Sequence, residues 1–143
     1  MKFKSKKSFL VGIIFGAACL LMIGISTKVL IYDHGKRWIG LISILPLFFL
    51  VLTWFNTYYV IENKMLIYKS GFINGSIKIE EIHQITIGKQ MYIGLKPALS
   101  SDGCIVSYRK WDDIYISPKN QELFNEELLK INPEIIVKNV GLK

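Results

Sequence analysis

The chain has 143 residues, 51% of them apolar, and carries 18 Lys/Arg against 11 Asp/Glu for a net charge of +7. Charge is uneven: residues 1–55 hold seven basic residues against one acid, and residues 56–143 hold eleven against ten. The nearly neutral second part excludes the basic folded face that nucleic-acid binding calls for. The residues left after position 55 suffice for one small core and not for two.

Two long apolar runs, Phe9–Thr27 and Trp38–Phe55, dominate the first part. As helices they would be roughly 27–28 Å long, close to the roughly 30 Å hydrocarbon thickness of a bilayer. Residues 1–55 are therefore predicted to form a transmembrane helical hairpin, and residues 56–143 a folded domain. Lys2, Lys4, Lys6 and Lys7 form a basic segment ahead of the first run, as in a secretory signal. The apolar residues continue through Ile25, beyond the usual signal length of about 7–15. Gly16-Ala17-Ala18-Cys19 resembles a lipoprotein cleavage box but has Gly where Leu is preferred, which favours an uncleaved span. Gly12 and Gly16 share one thin helix face, suited to the second helix of the chain or to a second copy in a homo-oligomer.

Lys28 to Arg37, with Asp33, His34 and Gly35, reads as a polar turn between the runs. Pro46 lies mid-run and predicts a kink, while Trp38 and Trp54 suit the headgroup levels. Neither run has an ionisable residue in its interior, which excludes a pump or pore. The four N-terminal lysines favour a two-span cell-membrane protein with both termini in the cytoplasm. Cys19 and Cys104 fall in different environments, so no disulfide is expected.

From Thr57 the pattern turns short, β-branched and aromatic. Thr57–Ile61 and Met65–Lys69 read as a hairpin around Glu62-Asn63-Lys64, with Asn63 left-handed. Asn74-Gly75 predicts a tight turn before Ser76–Ile79. Ile82, Ile85 and Ile87 continue the sheet; Ala98–Ser100 and Cys104–Arg109 flank Asp102-Gly103, and Ile114–Ser117 follows a turn at Lys110–Asp113. Ser117 and Pro118 suit the start of a helix whose stripe is Phe124, Leu128 and Ile131 and whose end is Asn132-Pro133. The tail Glu134–Lys143 reads equally as a strand or as a segment lying on the core.

The chemistry is sparse. Glycines are too scattered for a phosphate loop, and His83 and Cys104 are the only imidazole and thiol of the domain, so neither metal nor cofactor is expected. His83 near Glu81 offers an acid/base couple without a nucleophile, and no enzyme is predicted. Tyr92, Tyr108, Trp111 and Tyr115 are candidates for a recognition surface. Lys78, Lys96, Arg109 and Lys110 are candidates for lipid-phosphate contacts if folding gathers them.

Three passages carry a resemblance. Tyr58–Gly71 (YYVIENKMLIYKSG), Ile77–Ile85 (IKIEEIHQI) and Ile114–Ile135 (IYISPKNQELFNEELLKINPEI) resemble the bacterial PH-domain proteins, once grouped as a domain of unknown function. The resemblance implies an α+β chain in which a PH-like antiparallel β-barrel of about seven strands, closed by a C-terminal helix, follows the hairpin. That family includes small two-span membrane proteins and an immunity protein against the bacteriocin sublancin. It implies a membrane-anchored, non-enzymatic recognition module whose partner is the bilayer and a bacteriocin peptide or membrane protein. An anionic-lipid sensor and a structural subunit of a membrane complex are the alternatives. The chain departs from lipid-binding PH domains in its first hairpin, which supplies only Lys64 and Lys69.

Overall fold

The computed structural model describes residues 1–32, 38, 42 and 44–141. The expected polar turn at residues 33–37 lies outside them, but Lys28 does not begin it: helix α1 runs on through Phe9–Tyr32. This helix is roughly 36 Å long at 1.5 Å per residue, is apolar on every side, and buries only Ser26. Among the described residues it is the one helix long and apolar enough to cross a membrane. Helix α2 (Ile44–Phe55) has 12 residues, roughly 18 Å, well short of the hydrocarbon thickness. The expectation of two spans, and of a multi-pass protein, is corrected accordingly. Pro46, expected at a mid-run kink, is the third residue of α2. The two helices lie side by side, with the Phe15 and Trp54 rings 5.5 Å apart. A Cβ on Gly12 would come within 3.2 Å of the Trp54 ring, whereas Gly16 faces open space. The thin face thus serves, at Gly12, a contact within the chain.

Among the described residues eight strands form two four-stranded sheets. The first, in the order β1-β2-β3-β4, comprises β1 (Lys2–Lys4), β2 (Thr57–Glu62), β3 (Met65–Ser70) and β4 (Ile73–Lys78). The second, in the order β7-β6-β5-β8, comprises β5 (Ile82–Ile87), β6 (Cys104–Tyr108), β7 (Asp112–Ile116) and β8 (Ile136–Asn139). All ladders are antiparallel except β5–β8, which is parallel. The fold is α+β, and the expected closed barrel is corrected to two open sheets. A single 3₁₀ turn, Ile79–Glu81, carries the chain from β4 around a corner into β5, so no ladder joins the sheets there. The outer places at two edges go to β1 and β8, from the two ends of the chain.

The β2–β3 turn falls where expected but is a residue shorter, with Asn63 at φ 50° and Lys64 at φ 57° between Glu62, which belongs to β2, and its partner Met65. The next turn is not at Asn74-Gly75, which lies inside β4, but at Gly71-Phe72. Gly71 has φ +59°, and a Cβ there would strike Thr53 Oγ1 of α2 at 2.6 Å. Gly75 pairs with Tyr68, whose ring occupies the space that a side chain would need. Ala98–Ser100 forms no strand; Leu99 makes an isolated bridge to Lys7.

Helix α3 (Gln121–Ile131) starts later than Ser117, capped by the Asn120 side chain, which accepts from the Leu123 amide at 3.2 Å. Phe124 and Leu128 are fully buried between the sheets' apolar residues. Asn132 ends the helix, its amide donating to the Leu128 carbonyl at 2.9 Å. Its side-chain Nδ2 also donates to the Ile79 and Ile82 carbonyls, both at 3.1 Å, pinning the helix end to the corner between the sheets.

The N-terminal segment is part of this core. Phe3 is buried against Phe124, ring centroids 5.2 Å apart and edge to face. The buried Tyr59 hydroxyl donates to the Pro97 carbonyl at 2.6 Å and accepts from the Ser117 amide at 3.1 Å. Ser5 Oγ lies 3.0 Å from Ser117 Oγ and 3.4 Å from the Tyr59 hydroxyl. That Ser117, read as a helix cap, belongs to this buried network instead.

Replacing Phe3→Ala should cost about 3–5 kcal/mol, the range for a truncated core phenylalanine, read by denaturant titration of the full chain in detergent. A loss below about 1 kcal/mol would show that β1 does not share the core. Burial pushes the Cys104 thiol from 9.0 up to about 12, and burial likewise raises the Tyr115 phenol from 10.0 to about 12. Both groups stay neutral in the fold while the unfolded chain ionises above pH 9–10, so their contribution is intact below pH 9 and is lost as pH rises towards 12. The melting temperature should fall through that window, less steeply in Cys104→Val.

Candidate functional site

The four aromatic candidates separate into two pairs. Tyr115 is fully buried in β7, its hydroxyl donating to the Ser101 carbonyl, and Tyr108 is half-buried against the core. Tyr92 and Trp111 stand almost wholly in solvent, at 90% and 86% exposure, and the adjacent Ile93 is at 92%. The 88–97 segment runs past β7, where Leu95 bridges to Ile114 and Gly94 approaches the Asp113 carbonyl. Tyr92, Ile93 and Trp111 therefore decorate the same end of the second sheet.

The four cationic candidates are not gathered into one site. Lys78 closes β4 opposite Met65, and the Lys96 ammonium sits over the Tyr115 ring at 4.6 Å. Arg109 and Lys110 share the β6–β7 turn, where Arg109 adopts φ 52°. Its guanidinium is engaged by Glu81 at 2.9 Å and Asp112 at 3.9 Å, and the Glu81 hydrogen bond holds it still more firmly protonated. The Lys110 ammonium lies over the Trp111 ring at 5.8 Å. Glu81 is thus turned to Arg109, which removes it from an acid/base couple with His83.

Another set of cations is brought together, by residues that read as a signal-like leader. Lys2 and Lys4 project outward from β1 on either side of the buried Phe3. The alternation continues, with Ser5 buried and Lys6 exposed. With Lys7 and Lys119 they line a groove of about 550 Å³, together with Phe55, Asn56, Thr57 and Tyr58. The strand is held by Lys119, whose amide donates to the Lys4 carbonyl at 2.9 Å, and by Lys6, whose amide donates to the Ser117 carbonyl at 2.6 Å. The Lys2 ammonium stacks on Tyr58 at 3.8 Å, and that of Lys7 lies 4.9 Å from both the Trp54 and Phe55 rings. Lys6 pairs with Asp102 at 2.9 Å. None of the four cationic candidates lines this groove. The signal for it was the period-two pattern of Lys2, Phe3, Lys4, Ser5 and Lys6, a strand signature hidden in a charged run.

Among the described residues no group of three or more His, Cys, Asp or Glu is placed to hold a metal ion. The arrangement offers contact surfaces, cationic at the groove and aromatic at the far loops.

The family model for the bacterial PH domain matches residues 57–132. No curated protein and no solved structure matches the chain. The likeness therefore reaches the domain and no individual relative, and the immunity role implied by the sequence resemblance has no such relative behind it. On the match across more than half its length, the chain belongs to the bacterial PH-domain family.

Proposed function

We propose that α1 is a membrane anchor and that the two-sheet domain is a non-enzymatic recognition module working at the bilayer surface. One observation supports the reading above others: α1 is apolar on every side, and the protein covers almost none of it. A helix of that kind needs an apolar surrounding, and since α2 covers only part of one side, lipid is the natural one for the rest. Such a helix near an N-terminus is also the form of a cleaved leader. Here the residues before it, Phe3 and Ser5, are built into the domain core, so removing them would open that core. The domain joins the helices without a linker: Ser5–Ser8 leads directly into α1, and Asn56 alone separates α2 from β2. The joint is braced by Thr57 Oγ1, which donates to the Thr53 carbonyl at 2.6 Å and meets Ser70 Oγ at 3.0 Å. Phe72 of the β3–β4 turn rests on Phe49 of α2, ring centroids 4.6 Å apart.

On this reading the exposed Tyr92, Ile93 and Trp111 meet a protein partner at the membrane. Toxin immunity is its narrower form. Killing curves of a sensitive strain expressing the chain, run against a bacteriocin panel, test that form, and unchanged susceptibility to every member removes it.

Alkaline carbonate should leave the full chain in the membrane pellet. The pair Ile14→Lys and Leu21→Lys should release it, since each adds about 3 kcal/mol to the cost of insertion. Release of the unaltered chain would overturn the anchor. Tyr92→Ala with Trp111→Ala should change stability by no more than about 0.5 kcal/mol each while abolishing co-purification of the partner in mild detergent.

A further inference from the structure

The lysine-lined groove at the base of the helices has no assigned role. Five of its ten lining residues are lysines, Lys2, Lys4, Lys6, Lys7 and Lys119, and none is an acid. Three of the five ammoniums are engaged: Lys2 on Tyr58, Lys7 on the Trp54 and Phe55 rings, and Lys6 on Asp102. Lys4 and Lys119 carry no ion pair among the described residues, yet the Lys119 amide to Lys4 carbonyl hydrogen bond sets their backbones side by side. Two uncompensated cations on adjoining, hydrogen-bonded backbone repel each other, and an anion between them relieves that repulsion.

The groove's position indicates which anion. Its wall includes Phe55, the last residue of α2, which is 75% exposed, and Lys7, two residues before α1 begins. Cationic side chains therefore sit where the apolar helices meet the polar domain, with Phe55 on the helix side. A phospholipid presents the matching sequence, phosphate followed by acyl chain. We propose that this groove binds the phosphate of an anionic phospholipid headgroup, with Lys4 and Lys119 as its direct ligands and Phe55 against the start of the lipid's apolar part. The site lies at the Thr57–Tyr58 end of β2, opposite the Asn63-Lys64 turn. It is also separate from Lys78, Lys96, Arg109 and Lys110. The inference deepens the recognition reading above and rests on it for the level of the groove at the membrane.

The test uses the full chain in a non-ionic detergent, titrated by thermophoresis with dihexanoyl phosphatidylglycerol, dihexanoyl phosphatidylcholine and glycerol phosphate. Phosphatidylglycerol should bind saturably and at least tenfold more tightly than either other probe. The Lys4→Gln, Lys119→Gln double variant should weaken that binding about 25-fold, close to fivefold per lysine near an anionic partner. Its melting temperature should be unchanged, and Lys78→Gln with Lys110→Gln should bind as the unaltered chain does. Equal binding of the two lipids overturns the proposal, as does unaltered affinity in the double variant. Glycerol phosphate binding as tightly as the lipid would also overturn it, in favour of a soluble phosphate ligand. Carbonate extraction of the same proteins keeps the two readings apart: a chain that is released yet binds phosphatidylglycerol selectively loses the anchor and keeps the groove.

Discussion

The structure depends on one buried polar knot. The Tyr59 hydroxyl, Ser5 and Ser117 come from the second strand, the segment before α1 and the segment before α3, and they hydrogen-bond to one another away from water. An unmatched hydroxyl or amide in such a place costs about 1–3 kcal/mol, so the three segments can settle only in the arrangement that satisfies all of them. The knot closes around the Pro97 carbonyl and, less tightly, the Leu99 amide, so it also fixes a stretch that has no ladder of its own. Burial raises the Tyr59 phenol, which keeps it a donor.

Because Ser5 is tied into that knot four residues ahead of Phe9, the start of α1 is positioned by the domain core. The end of α2 is positioned separately, through Thr53, Thr57 and Ser70. Two short, hydrogen-bonded joints define an orientation where one flexible tether would allow many. The same arrangement reassigns charge. Of four lysines that look like flanks of an anchor, Lys2 and Lys4 become the outward face of a strand and Lys6 and Lys7 line the groove beside it, so the domain is far more basic than residues 56–143 alone suggest.

What the sequence made legible follows from how local each signal is. The β2–β3 hairpin and the α3 stripe were readable because a two-residue turn and a 3.6-residue period are written in adjacent residues. The Asn132 end was readable for the same reason. Strand β1 was not, because its short period-two pattern is hidden among lysines that resemble a leader. Asn74-Gly75 misled because Gly75 is required by the Tyr68 ring across the ladder, a contact no turn rule contains. Tyr115 could not be told from Tyr92, since β7 buries Ile114, Tyr115 and Ile116 consecutively and a strand covered on both faces loses its alternation. Whether sheets close into a barrel is set by chain corners such as Ile79–Glu81 and by which edges distant segments fill. That information is not local.

Ser5 and Ser117 are 112 residues apart, and the long apolar helix lies between them. A ribosome delivers Ser5 first, then the greasy helix, and Ser117 only near the end of synthesis. The leading strand can pair with β2 by mid-translation, but the knot that fixes it must wait for Ser117. A copy that held its first eight residues away from the domain could never complete its first sheet. Closure of the knot is thus a late check on the leading segment, and a copy that failed it would betray itself to quality-control proteases by an uncovered Phe124.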